Sequence, residues 1–546
     1  MTTEQNATSL RPLRVAVVGA GPAGVYVSDI FLRQLSQRGE ELGIGTDASI
    51  DLFEKLPVPF GLVRYGVAPD HPAIKWIMGA LEKTLDNPKI RLFSDVEFGT
   101  DITLADLRAR YDFVIFTTGA VADRPLALPG SNLPQVYGAA QFVEWYDGYP
   151  TGTRTWPLEA TQVAVIGGGN VAMDISRLLV KNPDDLLGTD IPSEVLNDLR
   201  TNKLQDLHLF VRRGPAQAKF SVQELRELEN LHGVQIVVEP SEFDIDNATR
   251  EVASQDKLTR QMIDELDTVR DMAVKMAEGA PTAPAAPVVP DATTGASSHE
   301  GSWNANESGD GETAAGSAAD TSVAGAQAAA SGVDFEGNPA TRRYHIHFNA
   351  NPVEILGEDG RVTGLRVERT MVSAEGKMVG TGEFTDYPVD AVYHAVGYKP
   401  AEVAEIPYDS QRLTLRNVHG RIVSEPGVEG REEGQYGQPI AGLYSSGWAK
   451  RGPVGLIGST KSDAMETVSN ILDDLAASPV KGRTAPEEGA DAHSIVALLE
   501  SRGVDFLDFA GWKRLDAYER AEGAKVNREH IKVVDPDLMR TVSRGE

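Results

Sequence analysis

"LRVAVVGAGPAGVYVSDIFLRQL", residues 13–35, decides the fold: a short β-branched run, a turn with glycine at 19, 21 and 24, then a helical stretch. Strands buried on both faces read as continuous apolar runs, and a strand entering a helix through G-x-G-x-x-G opens a nucleotide-binding βαβ unit. The theme recurs. "SIDLFEK" at 49–55 supplies a second strand, "YDFVIFTTGA" at 111–120 another, and "TQVAVIGGGNVAMDISRLLV" at 161–180 with "DLHLFVRRG" at 206–214 starts again. "AVYHAVGYKP" at 391–400 and the segment 442–472 then read as the first unit resuming. The expected fold is α/β, with two Rossmann-like dinucleotide-binding domains of the three-layer ββα type. One is discontinuous, over 1–120 and 390–546 with C-terminal helices, and the other is inserted at 121–389.

Composition narrows the chemistry. The chain has 546 residues, 41% hydrophobic and 24% charged, enough for more than one core. It has no cysteine, which removes disulfides, cysteine-held zinc or iron–sulfur clusters and CxxC redox pairs together. A net charge of −28 and a pI near 4.8 argue against general nucleic-acid binding. No long apolar run marks a signal peptide or membrane span, so a cytoplasmic location is expected. Residues 256–278 read as helical and charged. Residues 279–333 are rich in Ala, Gly, Ser and Pro without Lys or Arg, and read as a disordered surface insertion within the second domain.

The two glycine turns lead to strands that end in opposite charges. In the first turn, Gly19 permits the tight bend, Gly21 lets the backbone approach a pyrophosphate, and Gly24 lets helix and strand pack. Glu54 ends the next strand. A carboxylate there accepts hydrogen bonds from an adenosine ribose and repels a 2′-phosphate, so this turn suits FAD or NAD, not NADP. The second turn is "GGGNVA", with Gly167, Gly169 and Ala172 in the three places. At the end of its next strand stand Arg212 and Arg213. That reversal of charge predicts the 2′-phosphate of NADP, against the alternative of a solvated basic turn.

Together with "LFEKLPVPFGLVRYGVAPDHPAIK", "VRRGPAQAKFSVQELREL" and "GWAKRGPVGLIGSTKSDA", these motifs make the chain resemble the adrenodoxin reductase type of ferredoxin-NADP reductase. The resemblance spans nearly everything except 256–333 and the extreme N-terminus. It implies FAD contacts around Ala23, Glu54, Leu62, Val96, Trp448, Gly455, Leu456 and Ile457. It implies NADP(H) held by Arg124, the loop Gly168, Gly169, Asn170 and Val171, Arg212, Arg213, Glu224 and Gly455. His71 and Glu227 look like the family's active-site histidine and acid, and no metal site is expected. Taken alone, His71 reads equally as a structural hydrogen-bonding residue and Glu227 as a solvent-facing helix position.

The activity so implied is hydride transfer from NADPH to FAD, then one-electron transfer to an acidic iron–sulfur ferredoxin docking on a local basic face. Lys450 and Arg451 are candidates for that face. A disulfide reductase is excluded by the missing cysteines. A glutamate-synthase-like electron-transfer subunit would need cluster-binding cysteines. Another acceptor, as in a diaphorase or flavin monooxygenase, and a non-catalytic NADPH-sensing flavoprotein are the alternatives.

Overall fold

Two parallel sheets organise the chain, and the computed structural model describes residues 12–245, 250, 251, 253–278, 332–334, 336–373, 377–425, 437–455, 457–477 and 494–546. In the first sheet five parallel strands run in the spatial order Pro439–Ser445, Phe113–Phe116, Leu13–Val18, Ala48–Glu54 and Ile90–Ser94. Antiparallel strands Arg421–Val423 and Asn417–Val418 extend one edge. The β-branched run at 15–18 is buried because both faces are covered. On one face, helices Pro22–Arg38 and Ile457–Ala477 bury Val25, Phe31, Val468 and Leu472. On the other, Phe53, Phe116, Ile422 and Leu443 gather around Ala16 and Val18.

The second sheet is parallel throughout, in the order Val136–Gly138, Ala391–His394, Gln162–Ile166, Asp206–Val211, Arg342–Phe348 and Val234–Val238. One face carries the helix Asn170–Val180. Against the other lies an antiparallel meander of Ala350–Glu358, Arg361–Val372 and Met378–Tyr387, packing Ile355, Leu365 and Val367 onto Ala164, Ile166 and Phe210. This is the expected three-layer ββα arrangement.

One expectation needs correction. The strand Ala391–His394 belongs to the second sheet, where Val392 lies between Val136 and Ala164, so the first unit resumes only beyond it. A four-residue apolar strand buried on both faces carries no mark of which sheet it joins. The helix expected over 256–278 forms over Lys257–Glu278, and Leu266, Val269, Met272 and Met276 place one of its faces in the second unit's core. The segment 279–331 lies outside the described residues. Helices Ser494–Ser501, Phe509–Ala524 and Pro536–Arg544 pack back onto the first unit through Ile495, Leu499, Trp512, Leu515 and Met539. Among the described residues no helix is long and apolar enough to cross a membrane.

Candidate active site

The first glycine turn is built as its spacing requires. Gly19 has φ +107°, and a Cβ there would lie 2.7 Å from the Thr117 carbonyl oxygen. A Cβ on Gly24 would fall 2.0 Å from the Gly19 oxygen, so strand and helix touch only because residue 24 has no side chain. At Gly21 a Cβ would meet nothing within 4 Å, leaving open space at the N-terminus of a 17-residue helix that no side chain caps. Free N–H groups and the helix dipole make that space suited to a pyrophosphate. Glu54 is 7% exposed; its Oε2 accepts from the Ala20 N–H at 2.9 Å and its Oε1 from the Leu56 N–H at 3.1 Å. Burial pushes its carboxyl up, against these donors, and each oxygen retains capacity to accept from a ribose hydroxyl.

Other expected FAD residues converge here. The Val96 N–H donates to the Glu54 backbone oxygen at 2.9 Å. The Phe60–Gly61 turn, with positive φ at both residues, passes so close that a Gly61 Cβ would be 3.3 Å from the Gly21 Cα, and Leu62 opens the short helix after it. Gly447, at φ +72°, presses on Ala23, where a Cβ would meet the Ala23 Cβ at 2.5 Å, and so delivers Trp448 to the same turn. Gly455 lies beside Ser459 and Arg451. Leu456 and the side chain of Ile457 lie outside the described residues.

At the second turn, Gly169 is the N-cap of the 11-residue helix Asn170–Val180 and again faces open space. The chain leaving Arg213 folds back over it: the Lys219 N–H donates to the Gly168 oxygen at 2.8 Å and the Ser221 N–H to Asn170 Oδ1 at 2.8 Å. Val171, half-buried, comes next in the helix. Arg212 and Arg213 are exposed, and among the described residues neither guanidinium has an ion-pair partner. Their backbone carbonyls are anchored instead, Arg212 by the Thr370 hydroxyl at 2.7 Å and Arg213 by the Asn349 N–H at 3.1 Å. Arg124 stands where the chain passes between the units, its Nε donating to the Tyr398 oxygen at 3.1 Å. Each turn therefore fits a dinucleotide, the strand after the first ending in a buried carboxylate and the strand after the second in two exposed arginines without ion-pair partners among the described residues.

Between the turns lies a buried ionic seam. His71 Nε2 is 3.1 Å from Asp174 Oδ1 and 3.4 Å from Glu224 Oε1. Arg177 donates to Asp70 at 2.6 Å, to Asp174 at 2.5 Å and to Glu224 at 2.6 Å, and Lys181 reaches Asp70 at 2.9 Å. Burial lowers the His71 imidazole, as does the Arg177 guanidinium, whose Nη2 lies 2.8 Å from His71 Nε2, but hydrogen bonds to Asp174 and Glu224 outweigh both and hold the group up at about 9. Glu224, 2% exposed, accepts from Arg177 and lies 3.4 Å from His71. Glu227, half-buried, opens the 3-10 turn Glu227–Asn230 and accepts from Gln223 at 2.7 Å and from Asn230 at 3.1 Å. One expectation changes here. Lys450 and Arg451 form no free basic face, since Lys450 is buried against Glu466 at 2.6 Å and Asp463 at 3.2 Å, and Arg451 is 3.7 Å from Asp463. Asp174 and Arg177 escape a reading of the sequence as site residues, although "DISR" places opposite charges three apart on an otherwise apolar helix.

A second buried network ties the units together. Lys75 and Lys532 both reach Asp147, at 3.2 and 2.9 Å, and Asp190, at 2.7 and 3.1 Å. Lys532 also donates to the Arg64 carbonyl at 2.8 Å, and Arg64 pairs with Glu519 at 2.5 and 3.0 Å.

Comparison with known proteins places this arrangement. The chain is 31% identical over 538 residues to the mitochondrial NADPH:adrenodoxin oxidoreductase of Arabidopsis thaliana, covering 97% of this chain and 95% of that one. It is 32% identical over 531 residues to the NADPH-ferredoxin reductase FprA of Mycobacterium tuberculosis, covering 96% and 97%. The solved structure of Mycobacterium tuberculosis FprA in complex with NADPH superposes with a TM-score of 0.77 at 30% identity, over 98% of this chain and 100% of that one. No family model matches the chain. With such likeness over nearly full length, in sequence and in structure, the chain belongs to the NADPH:adrenodoxin and NADPH-ferredoxin reductase family.

Proposed function

We propose that the protein is a ferredoxin-NADP reductase that takes hydride from NADPH and passes electrons singly to an iron–sulfur ferredoxin. The carrying observation is the contrast between two open glycine turns, one closed by buried Glu54 and the other flanked by exposed, unpaired Arg212 and Arg213. FAD, when bound, supplies the chemistry that accepts two electrons together and releases them one at a time.

The chain's own residues bind, orient and hold protons. Glu54 accepts from the adenosine ribose, while Gly21 and the N–H groups beyond it receive the pyrophosphate. Ala23, Leu62, Val96, Trp448 and Gly455 wall the flavin side. Gly168 to Val171 receive the NADPH pyrophosphate, and Arg212 and Arg213 its 2′-phosphate, a choice reinforced by Arg124 nearby. Asp174 and Glu224 favour the protonated form of His71 and fix its ring against the helix that follows the second turn. We assign the first unit to FAD and the second, extended to include Ala391–His394, to NADP(H).

The test is cytochrome c reduction by the purified protein with NADPH or NADH, each with and without ferredoxin. Ferredoxin-dependent stimulation with a strong NADPH preference is expected. Flavin reduction without ferredoxin stimulation would overturn the assigned acceptor, and equal rates with the two nucleotides would overturn the role of the arginines.

A further inference from the structure

Three histidines meet on the second sheet, on the face covered by the meander and away from the glycine turns. Parallel pairing sets His345 opposite His208, and the two-residue period puts Asp206, His208 and Phe210 on the same face as Arg343, His345 and His347. The His208 and His345 rings stack at 4.2 Å, and His208 Nδ1 lies 3.1 Å from His347 Nε2. His345 Nε2 lies 2.8 Å from Asp206 Oδ1. One donor atom from each of Asp206, His208 and His345 falls within 4.8 Å of the others. Tyr387 and Phe210 wall the cluster, 5.1 and 4.9 Å from the His347 ring. It is not sealed, since the side chains of His345 and His347 are 18% and 14% exposed.

From this geometry we infer that Asp206, His208 and His345, with His347 as the fourth donor, form a site for a divalent transition-metal ion of the zinc class. Imidazole with one carboxylate is a donor set such ions favour. Donor atoms in a tetrahedral zinc site stand about 3.3 Å apart for bonds of about 2.0 Å to the ion, and the two hydrogen-bonded pairs, at 3.1 and 2.8 Å, are already near that spacing. The ion takes the place of the hydrogen-bonding proton in each pair, that proton moving to the other ring nitrogen of its imidazole, and the His345 ring turns out of its stack so that its lone pair converges with the others. Asp206 Oδ2 accepts from Gln162 at 2.9 Å, which fixes the carboxylate from behind while Oδ1 turns to the ion. Arg343 holds the same carboxylate with both arms, Nε on Oδ1 at 2.5 Å and Nη2 on Oδ2 at 2.7 Å, and this side chain, 39% exposed, is the competitor the ion must replace.

The experiment uses the full-length flavin-loaded protein, stripped with chelator and titrated with Zn2+ by calorimetry and with Co2+ by visible absorption. One equivalent with an intense tetrahedral Co2+ spectrum is expected. His208→Gln with His345→Gln should weaken binding at least tenfold, whereas His232→Asn, distant and exposed, should leave it unchanged. Arg343→Gln removes the competing cation and should tighten binding several-fold, a gain no misfolded variant imitates. Absence of saturable binding, binding that survives the double substitution, or weaker binding in Arg343→Gln would each overturn the assignment.

Discussion

Replacing Arg212 and Arg213 by alanine should convert an NADPH-selective enzyme into one nearly indifferent to the 2′-phosphate. Both side chains are exposed and without ion-pair partners among the described residues, and both carbonyls are held by main-chain and Thr370 contacts that alanine preserves. Stability should therefore change by no more than about 0.5 kcal/mol. A charge-assisted hydrogen bond contributes about 1.5–3 kcal/mol, and exposure to solvent argues for the lower end. Each substitution should thus lower kcat/KM for NADPH about tenfold, and both together about a hundredfold, with NADH changed less than about twofold. Stopped-flow flavin reduction with each nucleotide, at two salt concentrations, reads this directly. The wild-type NADPH rate constant should fall with salt and that of the double variant should not. An equal loss with NADPH and NADH would show that the arginines support the fold or the pyrophosphate, and the charge-reversal argument would be wrong.

Gly24→Ala forces a Cβ to within 2.0 Å of the Gly19 oxygen, so the purified variant should retain far less flavin absorbance per chain than wild type; full flavin content would refute the close-packing account. Glu519→Gln leaves Arg64, only 1% exposed, without its buried counter-charge and should cost about 3–5 kcal/mol, read as a clear drop in Tm, with Arg64→Met/Glu519→Met recovering much of it. His71 is held at about 9 when folded, above its unfolded value near 6.5. Its stabilising contribution is complete below about 6.5 and lost as pH rises through about 9. The Tm advantage of wild type over His71→Gln should shrink across that window, and a gap that widens with pH would contradict the hydrogen-bonded imidazolium.

Much of the architecture was legible because its signals are local. Gly19, Gly21 and Gly24 each meet a different steric demand within one turn, and the apolar runs at 13–18 and 162–166 announce strands covered on both faces. The charge contrast between Glu54 and Arg212 with Arg213 was legible for the same reason, since each lies at the end of the strand after its turn. What stayed hidden depended on distance. Glu224 and Glu227 look equivalent in sequence, and only Arg177, arriving from another helix, marks Glu224 as the buried one. Lys450 reads as a surface cation until Glu466 and Asp463 are brought over it. The histidine cluster joins strands more than a hundred residues apart in sequence, and the register of a parallel pair is not written in either strand alone.

The first sheet carries a consequence for how the protein is made. Its strand Phe113–Phe116 has Pro439–Ser445 as its neighbour, with the whole second unit threaded between them in the chain. As the polypeptide leaves the ribosome, the second unit, a continuous stretch, can close on itself, while the half-built first sheet waits with an open apolar edge at Phe113–Phe116. Ala23 is likewise uncovered until Gly447 and Trp448 emerge. On the proposed assignment of FAD to the first unit, flavin capture belongs to the end of synthesis, and a stalled or truncated chain would acquire its second unit yet stay colourless.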